Sequence, residues 1–156
     1  MTLNLMPPLQ HWPPKQALAL LLEERARRRR TDRLTDYRPY PKQRQFHAMG
    51  AAVRERLLAA GNQLGKTLCA GHEVAMHLTG RYPPWWTGKR FARANHGLAG
   101  SETGELTRRG VQRILLGRDV KTDMGSGAIP GACIQGVTWA RGVPELVDTV
   151  YVQHRR

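Results

Sequence analysis

Between residues 57 and 80 the chain passes from a short apolar run, Leu57-Leu58-Ala59-Ala60, through Gly61-Asn62-Gln63-Leu64-Gly65-Lys66-Thr67. A segment with Leu68, Gly71, Ala75 and Leu78 on one helical face follows, and Gly80 closes it. Buried strand, glycine turn, Gly-Lys-Thr and helix, in that order, build a phosphate-binding loop. Glycines let backbone N–H groups turn inward and approach phosphate oxygens that a Cβ would hold off. The helix behind them points its free N–H groups and its positive end at the same anion. In such a loop Lys66 reaches the β and γ phosphates of a triphosphate, and the Thr67 hydroxyl ligates Mg²⁺. The general spacing asks for glycine at residue 60, where this chain has Ala60, with the glycine one place later at Gly61. The expectation therefore rests on the flanking elements as much as on the spacing. Its plain alternative is an ordinary strand-to-helix turn with an exposed lysine.

Charge narrows the partners. Twenty-five Lys and Arg against twelve Asp and Glu give a formal net charge of +13 over 156 residues, which favours polyanions, nucleic acid before anionic membrane. The longest apolar run, residues 17–22, is far short of the roughly 20 residues of a spanning helix. The N-terminal residues have no basic, signal-like pattern. Cys69 and Cys133 are far apart, form no CxxC pair and read as reduced thiols. His72-Glu73 followed by His77 looks like a zinc-binding helix, but a separation of i and i+5 takes the second imidazole off the shared face, so ordinary helix histidines are expected.

Along the rest of the chain, residues 1–14 are Pro-rich and expected to be irregular. Lys15 to Arg30 reads as a helix with Ala17, Leu18, Leu21 and Leu22 in spacing, and its arginines at 27–30 are candidates for phosphate contact or for a solvated helix end. Residues 31–41 read as turn, and Lys42 to Gly50 as a short helix with Phe46, Ala48 and Met49 facing inward. A second short strand is expected over His96 to Gly100, then a helix from Gly104 to Leu116 capped within Ser101-Glu102-Thr103. Tyr82-Pro83-Pro84-Trp85-Trp86 is an aromatic loop whose tryptophans are expected to cover a sheet edge, ahead of contacting DNA together with Lys89, Arg90 and Arg93. Gly125 to Gly131 reads as a surface loop and Leu146 to Val152 as a strand. The expected fold class is α/β: an incomplete P-loop NTPase, mostly parallel sheet flanked by helices. A Pro-rich start and basic helix over residues 1–39 lead into the nucleotide-binding domain over 40–156.

Ala60-Gly61-Asn62-Gln63-Leu64-Gly65-Lys66-Thr67 resembles the Walker A variant of phage terminase large subunits, the motors that pump DNA into viral capsids. Residues 40–48, Tyr40-Pro41-Lys42-Gln43-Arg44-Gln45-Phe46-His47-Ala48, resemble the family's entry segment. Residues 80–91, 112–117 and 127–130 are similar to further runs typical of it. The similarity covers roughly residues 15–154. Each piece is weak; the ordered set is specific. The resemblance implies ATP and Mg²⁺ as ligands, held by Gly61, Asn62, Gln63, Leu64, Gly65, Lys66 and Thr67. It implies Gln43 as reader of the adenine edge, with Gln45 a substitute and Tyr40 available to stack on the purine. It also implies double-stranded DNA, the small terminase subunit and the portal as partners, a ring homo-oligomer when complete, and the host cytoplasm as location. One departure stands out. In many packaging motors the position of Asn62 is an arginine that helps stabilise γ-phosphate charge, so here that cation must come from elsewhere or from a neighbouring subunit.

A P-loop ATPase also needs an apolar strand ending in Asp, with a Glu beside it. Neither Leu116-Gly117-Arg118-Asp119 nor Leu146-Val147-Asp148-Thr149 has that form. The resemblance implies that this element, and a metal-dependent nuclease domain, lie beyond residue 156. The chain is thus expected to be a truncated piece that binds nucleotide without turnover and is marginally stable alone. The rival readings are a small basic, non-catalytic protein that binds DNA or capsid partners, and a fragment of another P-loop enzyme such as a helicase or nucleotide kinase.

Overall fold

The computed structural model describes residues 13–155, without the side chains of residues 27–30. The expectations for residues 1–12 and for phosphate contacts by Arg27 to Arg30 therefore lie outside the described residues. Helix α1 spans Pro14–Thr31, with proline in the first turn, where a missing N–H costs nothing. Its leucines Leu18, Leu21 and Leu22 are exposed rather than packed. The expected turn over residues 31–41 holds a short helix, α2 (Arg33–Asp36), capped by the Asp32 carboxylate accepting from Thr35 N. Helix α3 (Pro41–Met49) presents Gln43 and His47 inward. Met49, expected on that face, is exposed, because the helix is built to bury polar side chains that answer a charge across from it.

Helix α4 (Lys66–Thr79) is the central element, with Cys69, Ala75, Met76 and Thr79 fully buried. Against it lies a helical stretch of α5 (Gly104–Thr107), a π-helical turn over Arg108–Gln112 and α6 (Arg113–Leu116). Thr103 caps it through Oγ1, which accepts from Leu106 N at 3.2 Å. The core joins Leu34 and Tyr37 to Ala75 and Met76 of α4, Trp86, Leu115, Leu116, Val120, Ala128 and Ile129.

The sheet of the described residues is one antiparallel pair, β1 (Ile134–Trp139) and β2 (Val147–Val152), with Val137 opposite Val150 and Thr138 opposite Thr149. Gln112 anchors this hairpin to the π-helical turn: its Nε2 donates to Glu145 O and its Oε1 accepts from Val147 N, both at 2.8 Å. Arg155 N donates to Thr79 O at 2.8 Å, tying the end of the hairpin to the end of α4.

The structure corrects four further expectations. Residues 57–60 and 96–100 are not strands; both lack regular structure and are largely exposed, Leu57 at 89% and Leu98 fully. An apolar run becomes a strand only when another backbone offers its N–H and C=O groups, and none of the described segments runs alongside either stretch. The tryptophans do not cover a sheet edge. Trp85 and Trp86 pack on His47, with ring centroids 6.1 and 5.1 Å away, and Trp86 Nε1 donates to Lys89 O at 3.0 Å.

The fourth correction concerns the glycine-rich loop, whose residues 125–130 are buried rather than exposed. Helix α6 ends with unpaired carbonyls. Ala128 N donates to Ile114 O at 2.7 Å, Ile129 N to Leu115 O at 2.9 Å and Gly125 N to Leu116 O at 2.6 Å. The loop thus serves as the cap of the helix, and its glycines let two backbones meet without side chains between them.

Candidate functional site

Gly65 precedes the first residue of α4 in the left-handed conformation (φ 73°), and Gln63 is left-handed too (φ 61°). This alternation turns the backbone of residues 61–65 back on itself, as in an anion-binding nest. From Val53, whose N–H donates to Met49 O, to Cys69, whose N–H donates to Gly65 O at 2.8 Å, no described backbone N–H makes a backbone hydrogen bond of ordinary geometry. The N–H groups of the first turn of α4 have no partner within the helix. Lys66 occupies the first helical position and folds over the loop, its Nζ donating to Ala60 O at 2.6 Å and Gly61 O at 2.8 Å. Thr67 follows on an exposed turn. The corner at Lys66 is thus coil-to-helix, not the strand-to-helix corner expected from residues 57–60.

Gln43 joins this loop from the side. It is 7% exposed, and its amide is fully engaged: Oε1 accepts from Tyr40 N at 3.0 Å, while Nε2 donates to Gly65 O at 3.3 Å and approaches Leu64 O at 3.5 Å. One side chain holds both the start of α3 and the carbonyl side of the loop. A Cβ at position 65 would come within 3.1 Å of Gln43 Nε2, so glycine serves there for closeness as well as for its positive φ. Asn62, Gln63 and Leu64 form the exposed rim, and the Tyr40 ring is exposed beside them.

Behind the loop lies a buried ionic centre that sequence reasoning missed. Glu73 of α4 takes both guanidinium nitrogens of Arg56, accepts His47 Nδ1–H at 2.6 Å and lies 3.4 Å from His77 Nε2. Arg56 also donates to Phe46 O at 2.7 Å and stacks over the Phe46 ring. On its other side, His47 Nε2 faces Tyr37 Oη at 3.1 Å; Tyr37 stacks on His72 with ring centroids 4.1 Å apart, and its Oη lies 3.5 Å from Gln43 Oε1. Contacts thus run without a break from Glu73 through His47 and Tyr37 to Gln43 and the loop. The sequence signal was present in His47 and Arg56, both near the loop, but residue types alone did not pair them with Glu73. Among the described residues no group of three or more His, Cys, Asp or Glu side chains is arranged to hold a metal ion. Cys69 and Cys133 are both free thiols.

Electrostatics follow from this packing. Burial raises the Glu73 pKa, but the hydrogen bonds from His47, His77 and Arg56, with the charge of Arg56, outweigh it and hold the carboxyl well below the usual glutamate range. Burial, the largest effect on each, pushes the Tyr37 hydroxyl and the Cys69 thiol up, so both stay protonated. Burial also lowers the His72 pKa, with the charges of His47 and Arg33 adding to it, against a hydrogen bond to Leu68 O. Glu73 and His72 give stability the same sign with pH. A depressed histidine stabilises the fold while neutral, and this is lost as pH falls below about 6.5, where the unfolded chain takes up the proton. A depressed carboxylate contributes fully above about 4.3 and loses its contribution as pH falls toward its folded value. Urea midpoints measured from pH 8 down to pH 3 are expected to hold steady, decline below about 6.5 and fall more steeply below about 4.3. A flat profile to pH 4 would remove His72 from this account.

The geometry of the site is a glycine-bounded coil ahead of α4, with Lys66 at the first helical position and the Thr67 hydroxyl next to it. Residues 57–148 match the family model described as terminase large subunit, T4likevirus-type, N-terminal. The chain is 41% identical over 149 residues to the large terminase subunit of Salmonella phage P22, an alignment covering 86% of this chain and 30% of that protein. This chain belongs to the terminase large subunit family, and it spans about a third of the length of that relative. No solved structure matches it. No helix among the described residues is long and apolar enough to cross a membrane.

Proposed function

We propose that residues 60–67 bind the triphosphate of ATP with Mg²⁺, as part of an α/β P-loop domain that in a longer terminase polypeptide couples ATP hydrolysis to packaging of double-stranded DNA. The observation that carries this reading is Lys66 at the start of α4 behind left-handed Gly65, with the neighbouring N–H groups unengaged. Lys66 exchanges the carbonyls of Ala60 and Gly61 for β and γ phosphate oxygens, and Thr67 supplies a hydroxyl to the metal. In this reading Gln43 reads the adenine edge, for which its amide must release Tyr40 N and Gly65 O. The net charge of +13 suits contacts to DNA phosphates that do not read sequence. The small terminase subunit and the portal are the partners this reading adds.

Equilibrium binding of ATP with Mg²⁺ tests it. Lys66→Ala is expected to weaken binding by about 10- to 100-fold, the loss of one charge-assisted hydrogen-bonding group. Nucleotide binding that ignores this change would sink the phosphate-loop reading. DNA binding by a chain that takes no nucleotide would favour the basic, non-catalytic alternative.

A further inference from the structure

The Tyr37 hydroxyl has one proton to give and two acceptors within reach. His47 Nε2 lies 3.1 Å from its Oη, and Gln43 Oε1 lies 3.5 Å from it. The Glu73 carboxyl is held ionised, so His47 Nδ1, 2.6 Å from it, carries a proton. The state of Nε2 then fixes the direction of the remaining protons. In neutral His47, Nε2 accepts from Tyr37 O–H, and the oxygens of Tyr37 and Gln43 face each other with no proton between them. In charged His47, Nε2–H donates to Tyr37 Oη, and Tyr37 O–H donates to Gln43 Oε1. An amide oxygen has two lone pairs. Tyr40 N takes one at 3.0 Å, so in the charged state Tyr37 takes the second and Oε1 is full. Tyr37, Gln43 and His47 are all buried, so water does not stand in for a missing partner. The titratable and charged groups around His47 are Tyr37, Arg56 and, from α4, Cys69, His72, Glu73 and His77. Trp85 and Trp86 add rings alone. Of these groups, Tyr37 is the one that also meets Gln43.

We propose that Tyr37 is a positioning residue that sets whether the Gln43 oxygen is open to a base, with the charge on His47 choosing the direction of the Tyr37 hydroxyl proton. The proposal rests on the reading of Gln43 as the contact to the adenine edge. That edge carries one donor, the 6-amino group, and one acceptor, N7, where guanine offers two acceptors. Gln43 Oε1 is thus the atom on which the two purines differ. Neutral His47 leaves one lone pair of Oε1 free and sets it against the Tyr37 oxygen, which favours turning the amide toward a base. Charged His47 adds one hydrogen bond that the amide must break before it turns. Preference for adenine therefore rises with pH, through a side chain that touches no ligand.

The test uses the full 156-residue chain between about pH 5 and 8, the range in which histidine changes charge. Without nucleotide, NMR follows the His47 imidazole and the side-chain amide signals of Gln43. In the wild type the Gln43 signals are expected to shift with the His47 midpoint. In Tyr37→Phe, which keeps the ring and its stack on His72, they should stay still. Titration calorimetry with Mg²⁺ then compares ATP with GTP, whose triphosphates ionise alike. The wild-type preference for ATP is expected to be about 3- to 10-fold greater at the top of that range than at the bottom, the worth of one hydrogen bond. Tyr37→Phe should make the preference independent of pH. Gln43 signals that ignore His47, that follow His72 or His77 instead, or that still shift in Tyr37→Phe overturn the proposal. So does a His47 that keeps one charge throughout. The wild-type measurements decide the matter even where the variant folds poorly. Gln43→Ala separates the two readings. An ATP preference that is lost in Gln43→Ala but flat with pH in the wild type keeps the adenine contact and overturns this proposal. A wild type that prefers neither nucleotide overturns the adenine reading, and this proposal with it.

Discussion

Glu73→Ala is expected to lower the unfolding free energy by about 3–5 kcal/mol, the range for removing one partner of a buried ion pair. The Glu73 side chain is 7% exposed and the Arg56 side chain 16%, so the guanidinium left behind has little water to replace the carboxylate. His47, 1% exposed, loses its acceptor in the same step. Glu73→Gln keeps the volume and one acceptor oxygen and should fall between wild type and alanine. Urea unfolding gives the comparison directly. A Glu73→Ala midpoint indistinguishable from wild type would mean that Arg56 and His47 reach solvent readily, and that the centre does not organise α3 against α4.

Gly127→Ala should be nearly as damaging, at about 3 kcal/mol, toward the upper end for overpacking, because what it meets is main chain. A Cβ built there lies 2.4 Å from Leu115 O, 2.5 Å from Leu115 C and 2.6 Å from Leu116 N. Relief requires moving the loop off the end of α6, which would break the bonds from Ala128 N and Ile129 N to the helix carbonyls. Gly100→Ala, where a Cβ meets nothing within 4 Å, is the matching control and should be close to neutral. Thermal melts of the two variants decide the matter; equal melting temperatures would show that the loop caps nothing of consequence.

The helices were the legible part of the chain. Helices α3 and α4, and the stretch from residue 104 to 116, announce themselves through short-range signals: apolar residues in helical spacing, Gly80 at a stop, Thr103 as a cap. Family membership was legible too, because it rests on an ordered series of short runs that no single physical signal produces. Strands were not. Residues 57–60 and 96–100 have suitable composition, but pairing depends on distant segments that composition does not name. Residues 134–139 do pair, although Gly136 in their midst weakens the local signal. The buried role of residues 125–130 was equally hidden, since glycines suggest a surface turn until the open carbonyls of Ile114, Leu115 and Leu116 are seen to need donors. Glu73 was noticed only as the middle of His72-Glu73 and His77. Its true companions, His47 and Arg56, lie 26 and 17 residues away.

Gln43 has one more effect through the two backbone groups it holds. Tyr40 N belongs to the amino end of α3 and Gly65 O to the amino end of α4, so a single amide draws two helix starts together. Each carries a partial charge of roughly +0.5 from its aligned peptide dipoles. Side by side, they approach one full positive charge made of main chain alone. Such a charge has no proton to lose, and its pull on an anion persists across the acid range in which His72 and Glu73 change state.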